Sequence, residues 1–288
     1  MTTIQWFPGH MAKARREVEE NLKRIDVVIE LLDARLPLSS RNPMMHDILG
    51  DKPRVVVLNK RDLADEAVNR EWVHYFRNDG VYVVPIDAQS GAGVRELPPL
   101  VATLMQRKWE ALEAKGIRKQ LARCMIVGIP NVGKSSLINR LARRSATKTG
   151  NKPGVTKAQQ WIKVDKHIQL LDTPGILWPK FDDPVVGQRL AASGAIKSTI
   201  FAASEAAFYA LTLLRNRYPD ALQSRYRLSE LPDDSGQLLE EIGKKRGCMR
   251  SGGTIDLEKA SELLLHDLQT GKLGRISFEQ PADWVADS

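Results

Sequence analysis

The feature that most constrains this chain is a short run near its middle, Gly128-Ile-Pro-Asn-Val-Gly-Lys134-Ser135. It follows an apolar, strand-length stretch at 121–127 and opens a helical pattern from Lys134. G-x-x-x-x-G-K-S between a strand and a helix reads as a phosphate-binding turn. The glycines let the backbone curl without Cβ clashes, successive N–H groups face one point, and the helix start adds the positive end of its dipole. Lys134 is expected to reach the β- and γ-phosphates of a nucleotide, and the Ser135 hydroxyl to ligate Mg²⁺. A chance glycine-rich turn would not need the flanking strand and helix.

The surrounding pattern fits that requirement. Apolar, β-branched runs at 26–32, 54–58, 81–84, 121–127 and 168–171 alternate with helical patterns at 64–78, 94–114 and from 134. Positions 37–43, with two prolines, two serines and an asparagine, read as a loop. Met11, Val18, Leu22 and Ile25 mark one face of a first helix. Such alternation predicts a parallel sheet covered on both faces. Beyond Trp178-Pro179 only helical patterns follow, at 184–195, 205–217, 237–245 and 256–268. The expected organisation is an α/β domain over 1–178 and a smaller all-helical domain over 179–288.

Three further motifs specify the nucleotide chemistry. Asp172-Thr-Pro-Gly175 follows the run at 168–171; its carboxylate would serve the Mg²⁺ shell and the Gly175 N–H the γ-phosphate. Thr156, in Pro153-Gly-Val-Thr156, can close over Mg²⁺ in a triphosphate state and let go after hydrolysis. Asn59-Lys60-Arg61-Asp62 follows the run at 54–58. In N-K-x-D the aspartate accepts from the N1–H and N2–H₂ edge of guanine, which adenine lacks. The lysine stem would cover the base and the asparagine would tie this loop to the phosphate loop. Read alone, Asp62 is equally an N-cap for the following helix. Asp87-Ala88 follows the next strand and fits a loop giving a backbone N–H to guanine O6, with Ala88 as donor. The nucleotide contacts expected are therefore Asn59, Lys60, Arg61, Asp62, Asp87, Ala88, Asn131, Val132, Gly133, Lys134, Ser135, Ser136 and Gly175.

These motifs resemble those of the translation-factor-related GTPases, in an order that is circularly permuted: N-K-x-D and the Ala88 loop precede the phosphate loop, Thr156 and D-T-P-G. With Trp6-Phe-Pro-Gly-His10-Met at the N-terminus and helices at the C-terminus, the chain resembles the ribosome biogenesis GTPase A family over nearly its whole length. That resemblance implies a three-layer P-loop GTPase domain with permuted motif order, GTP/GDP with Mg²⁺ held by Ser135, Thr156 and Asp172, and a partner in the maturing large (50S) ribosomal subunit and its rRNA. Hydrolysis would then permit release. The family resemblance also implies a part for His10 in hydrolysis. Asn131 resembles the asparagine of potassium-activated GTPases, which implies K⁺ there; the alternative is an asparagine that caps its own turn. Ile176, where many relatives have glutamine, cannot orient water by hydrogen bonding, so another group must.

The alternatives remain distinct. One is a GTP-gated RNA-binding module whose hydrolysis is incidental. A P-loop kinase is disfavoured by N-K-x-D and by the lack of an acceptor lid. Cys124 and Cys248 stand alone, outside any metal or disulfide spacing. No apolar run is long enough for a signal peptide or a membrane span, so a cytoplasmic protein with no membrane or DNA partner is expected. The net charge of +8 is unevenly placed: residues 101–166 carry 15 Lys or Arg against 3 Asp or Glu, whereas 177–288 carry 14 against 16. The basic face expected to meet a polyanion thus lies on the nucleotide-binding part. Lys244-Lys-Arg246 and Arg250 could add phosphate contacts of the backbone-reading kind.

Overall fold

The computed structural model describes residues 16, 18–142, 161–164, 167–171, 183–196 and 202–285. Six strands, β1 Val27–Asp33, β2 Arg54–Asn59, β3 Tyr82–Pro85, β4 Ala122–Val127, β5 Trp161–Lys163 and β6 Ile168–Leu171, form one sheet in the order β3-β2-β1-β4-β6-β5. All neighbours are parallel except β5 and β6. The expectation of a wholly parallel sheet fails at that edge for a simple reason. Only positions 164–167 separate the two strands, too few for a crossover, so they can meet only as an antiparallel pair.

Every residue of β1 is buried, as a central strand covered on both faces must be. Alternate residues serve opposite layers. Val27, Ile29 and Leu31 join a large cluster with helix α3 (Leu97–Glu113) and helix α4 (Lys134–Leu141). On the other face Val28, Met125, Val127 and Leu171 meet Val18, Ile25 and helix α1 (Pro43–Leu49), while Leu32, Val56 and Leu58 meet Trp72 and Phe76 of helix α2 (Glu66–Asn78). Helix α1 takes over the end of the stretch that reads as a loop: Asn42 Oδ1 accepts from Met44 N at 3.0 Å, and Met45 and Leu49 supply an apolar face. Asp65 caps α2 by accepting from Ala67 N and Val68 N.

The chain then continues as helices α5 Pro184–Ala192, α6 Ala203–Arg217, α7 Pro219–Tyr226, α8 Ser235–Arg246, α9 Leu257–Gln269 and α10 Ala282–Val285. Aspartates cap three of them, Asp183 for α5, Asp234 for α8 and Asp256 for α9. Helix α6 is the hub, burying Ala206, Ala207, Ala210, Leu211 and Leu214. Helices α7 and α10 are not legible as periodic patterns, being only 8 and 4 residues long. The expected boundary at 178/179 lies outside the described residues.

The last stretch returns to the sheet half. Ile276 N donates to Leu63 O at 2.8 Å and Phe278 N to Arg35 O at 2.7 Å. Glu279, fully buried, accepts from Leu38 N at 2.6 Å, from both the N–H and the hydroxyl of Ser39, and from Arg189 at 3.0 Å. Burial pushes its carboxyl upward, against the opposing pull of Arg189 and the Ser39 bonds. The helices and the sheet therefore share a continuous buried cluster. Both cysteines are buried and neither is in a disulfide, and among the described residues no helix is long and apolar enough to cross a membrane.

Candidate active site

Chain order reverses direction between β1 and β4: β1 leads to β2 and β3 on one side, and β4 to β6 on the other. In an open α/β sheet a crevice forms beyond the carboxyl ends of the strands at such a point. Asn59 ends β2 and Gly128 follows β4, so two of the sequence motifs arrive there through strand order alone, beside Asp33 at the end of β1.

The phosphate loop is shaped by two positions with left-handed backbone, Asn131 at φ 58° and Gly133 at φ 104°. At Gly133 any Cβ would strike Asn59 Nδ2, so both the φ and the space require glycine. Gly133 is also the N-cap of α4, whose first turn carries Lys134, Ser135 and Ser136. Lys134 is buried and donates to Gly128 O at 3.0 Å and Ile129 O at 2.8 Å. Its ammonium lies over the carbonyls of its own loop, which is where a phosphate bound by this loop would draw it.

Asn59 is the tie that the motif implies. Its Nδ2 donates to Val132 O at 2.7 Å and its Oδ1 accepts from Ala88 N at 3.0 Å, joining the phosphate loop to the Ala88 loop. This occupies the N–H expected to meet guanine O6, so base contact at Ala88 has to share or replace that bond. Asp87 closes the same turn by accepting from Gln89 N at 2.8 Å. Burial raises its carboxyl, but bonds from Ser90 and Gln89 outweigh that and hold it below the usual range. Arg61 donates its backbone N–H to Ile86 O at 3.1 Å and stays on the surface.

Asp62 is not the helix cap; Asp65 does that work. Asp62 remains exposed at the mouth of the crevice, its pKa raised by partial burial of the carboxylate, with a contribution from the charge of Asp87. Lys60 does not lie free over a base site. Its backbone is left-handed at φ 64°, and its ammonium donates to Asp33 Oδ2 at 2.8 Å. Burial lowers its pKa, against the opposing charge of Asp33.

Asp33 and Arg35 escaped the sequence reading. The Arg35 side chain is 2% exposed; Nε and NH2 hold Asp33 at 3.0 and 2.8 Å, and NH2 also donates to Ser193 O at 2.9 Å. Burial alone would raise the Asp33 carboxyl. The adjacent Arg35 and Lys60 cations reverse that and hold it far below the usual carboxylate range. A charged D-x-R at the carboxyl end of an apolar run, beside the N-K-x-D strand, was the available signal.

Residues just after α5 also meet the phosphate loop. Asn131 Nδ2 approaches Gly194 O at 3.4 Å and Ala195 O at 3.3 Å. The side chain therefore points its amide nitrogen at the helical part and keeps its oxygen as an acceptor. His10, Thr156, Asp172 and Gly175 lie outside the described residues, and among the described residues no cluster of three or more His, Cys, Asp or Glu could hold a metal ion. Ser135, Thr156 and Asp172 offer only hard oxygen donors, the set that suits Mg²⁺.

Comparison with known proteins bears on the family and the fold. The family described as 50S ribosome-binding GTPase matches residues 123–228. The ribosome biogenesis GTPase A of Bacillus cereus is 56% identical over 98% of this chain and 95% of its own. Among solved structures, GDP-bound TM YlqF superposes with TM-score 0.65 at 26% identity, covering 93% of this chain and 100% of its own. GNP-bound YlqF from T. maritima gives TM-score 0.64 over 93% and 98%.

Proposed function

This chain belongs to the ribosome biogenesis GTPase A family, and from that premise we propose that it binds GTP with Mg²⁺, docks on the maturing large ribosomal subunit in the cytoplasm, and leaves when GTP is hydrolysed. The observation that carries the guanine reading is the division of labour at the N-K-x-D turn. Asn59 braces the phosphate loop against the Ala88 loop, while Asp65 caps the next helix and leaves Asp62 at the crevice mouth. A carboxylate there can accept from the guanine N1–H and N2–H₂ edge, and an adenine would leave it unpaired.

On this reading Val132, Gly133, Lys134, Ser135 and Ser136 cradle the phosphates. Bound Mg²⁺ supplies charge neutralisation at the β- and γ-phosphates, and Ser135, Thr156 and Asp172 would hold it. Asn131 keeps an amide oxygen for K⁺. Neutral His10 would orient or deprotonate the attacking water, because Ile176 has no group to do so. The helical part, 179–288 in this division, senses the nucleotide through Ser193, Gly194 and Ala195, which accept from Arg35 and Asn131. Gly175 would add a second link.

The deciding experiment is GTP turnover with and without mature and immature large subunits, in K⁺ and in Na⁺. Strong stimulation by subunits, larger in K⁺, is expected. Turnover that subunits leave unchanged would overturn the release step and favour an RNA-binding module with incidental hydrolysis. His10→Ala should lower stimulated turnover with GDP affinity intact.

A further inference from the structure

A shallow pocket of about 460 Å³ opens on the sheet away from the nucleotide crevice, lined by Arg24, Arg123, Trp161 and Gln169. Register explains why they meet. Arg123 pairs with Gln169, Gln169 pairs with Lys163, and Trp161 lies two residues before Lys163, so all four project from one face. Arg24 joins them from the turn before β1, where its N–H donates to Asn21 O.

The chemistry of this patch is specific. Trp161 is 41% exposed, whereas Trp72 and Trp109 are buried. Arg24, Arg123 and Lys163 are exposed, and among the described residues none of their side chains has an ion-pair partner. The carboxylate beside them, Asp26, is already taken by Lys108 and by the Arg123 backbone N–H. The pocket thus combines one flat aromatic face, an amide able to both donate and accept, and uncompensated guanidinium groups. An acidic peptide would use the cations but not the indole face. A lipid surface would call for several apolar residues, and the lining supplies one.

We propose that this pocket takes one unpaired nucleotide of an RNA strand. The base stacks on Trp161 with Gln169 at its edge, and the flanking phosphates meet Arg24 and Arg123. The proposal rests on the ribosomal reading above and names a contact surface for it. The patch has a useful location: Trp161 follows Thr156 by five positions and pairs with Leu171, the residue before Asp172. RNA held there touches the edge strand that lies between the two segments expected to respond to the γ-phosphate. It also lies within the basic stretch of the sequence.

The test uses the full chain loaded with GDP, a short fluorescent unpaired RNA oligonucleotide, and anisotropy. Trp161→Ala should weaken binding by roughly fivefold to a hundredfold, the range of one lost base–aromatic stack, and Trp161→Phe should restore most of it. Arg24→Gln with Arg123→Gln should weaken binding and flatten its salt dependence by about one to two contacts. GDP affinity should stay at the wild-type value in all of these. Equal binding by Trp161→Ala and wild type, or no binding by wild type, overturns the proposal. So does competition by duplex RNA, by an acidic peptide, or by free AMP as effective as that of the oligonucleotide; the last would point to a free mononucleotide. Co-sedimentation with large subunits separates this from the broader reading. If wild type and variants sediment alike, the pocket assignment fails and the proposed function stands. If wild type does not sediment, the proposed function fails and the oligonucleotide alone judges the pocket.

Discussion

Asp33→Asn tests the least expected part of the site. The change preserves shape and removes one negative charge from between two cations. Asp33 receives Arg35 Nε at 3.0 Å, Arg35 NH2 at 2.8 Å and Lys60 Nζ at 2.8 Å. Breaking a buried ion pair from one side costs about 3–5 kcal/mol, because the surviving charge stays desolvated. Arg35, at 2% side-chain exposure, cannot escape to water, whereas Lys60, at 23%, can partly turn outward. The expected loss is therefore near the lower end, about 3 kcal/mol, or about 1 M in the urea midpoint for an m value of about 3 kcal/mol/M. The pH dependence has a definite sign. A carboxyl held below its ordinary value of 3.8 contributes stability that is complete above that value and is lost as pH falls through the folded value. The gap between wild type and Asp33→Asn should be flat from about pH 5 to 8 and narrow in acid. Urea unfolding followed by circular dichroism across that range measures it. A midpoint loss under a third of that size, or a gap that widens in acid, would refute the reasoning.

Two further changes probe the crevice. Gly133→Ala forces a Cβ into Asn59 Nδ2 at a left-handed backbone position, so GDP affinity should fall at least tenfold by calorimetric titration while the folded circular dichroism spectrum persists. Asp62→Asn keeps the loop but replaces an acceptor-only group with an amide that also donates. Guanosine diphosphate should weaken at least tenfold, and xanthosine diphosphate, whose edge carries a carbonyl where guanine has an amine, should gain relative to it; an unchanged preference would remove Asp62 from base reading.

Much of the site was legible because its chemistry is local. The phosphate turn is set by glycines and a lysine within eight consecutive residues, Gly128 to Ser135. N-K-x-D and Asp87-Ala88 each follow a strand whose β-branched residues announce it. The permuted order was equally plain, since it is only the order of motifs along the chain. What was missed is non-local. Trp161–Lys163 is too short for a periodic signal and becomes a strand only through pairing with β6. Arg35 looks like a loop arginine until Asp33, Lys60, Ser193 and Phe278 are brought around it. The double use of the N–H at Ala88 likewise depends on where Asn59 sits.

By itself, then, the sequence determined the class of fold, the glycine-rich turn before α4, the N-K-x-D turn after β2 and the rearranged order of these parts. Each is written in contiguous residues whose backbone needs and hydrogen-bonding groups act over a few ångströms. Tertiary structure alone decided which charges neutralise one another and which stay open. It buried Asp33 between Arg35 and Lys60, set Ser193 to Ala195 against the phosphate loop, and left Arg24 and Arg123 beside an exposed Trp161. Electrostatic pairing and desolvation depend on distance in space, and strand register, not chain position, sets that distance.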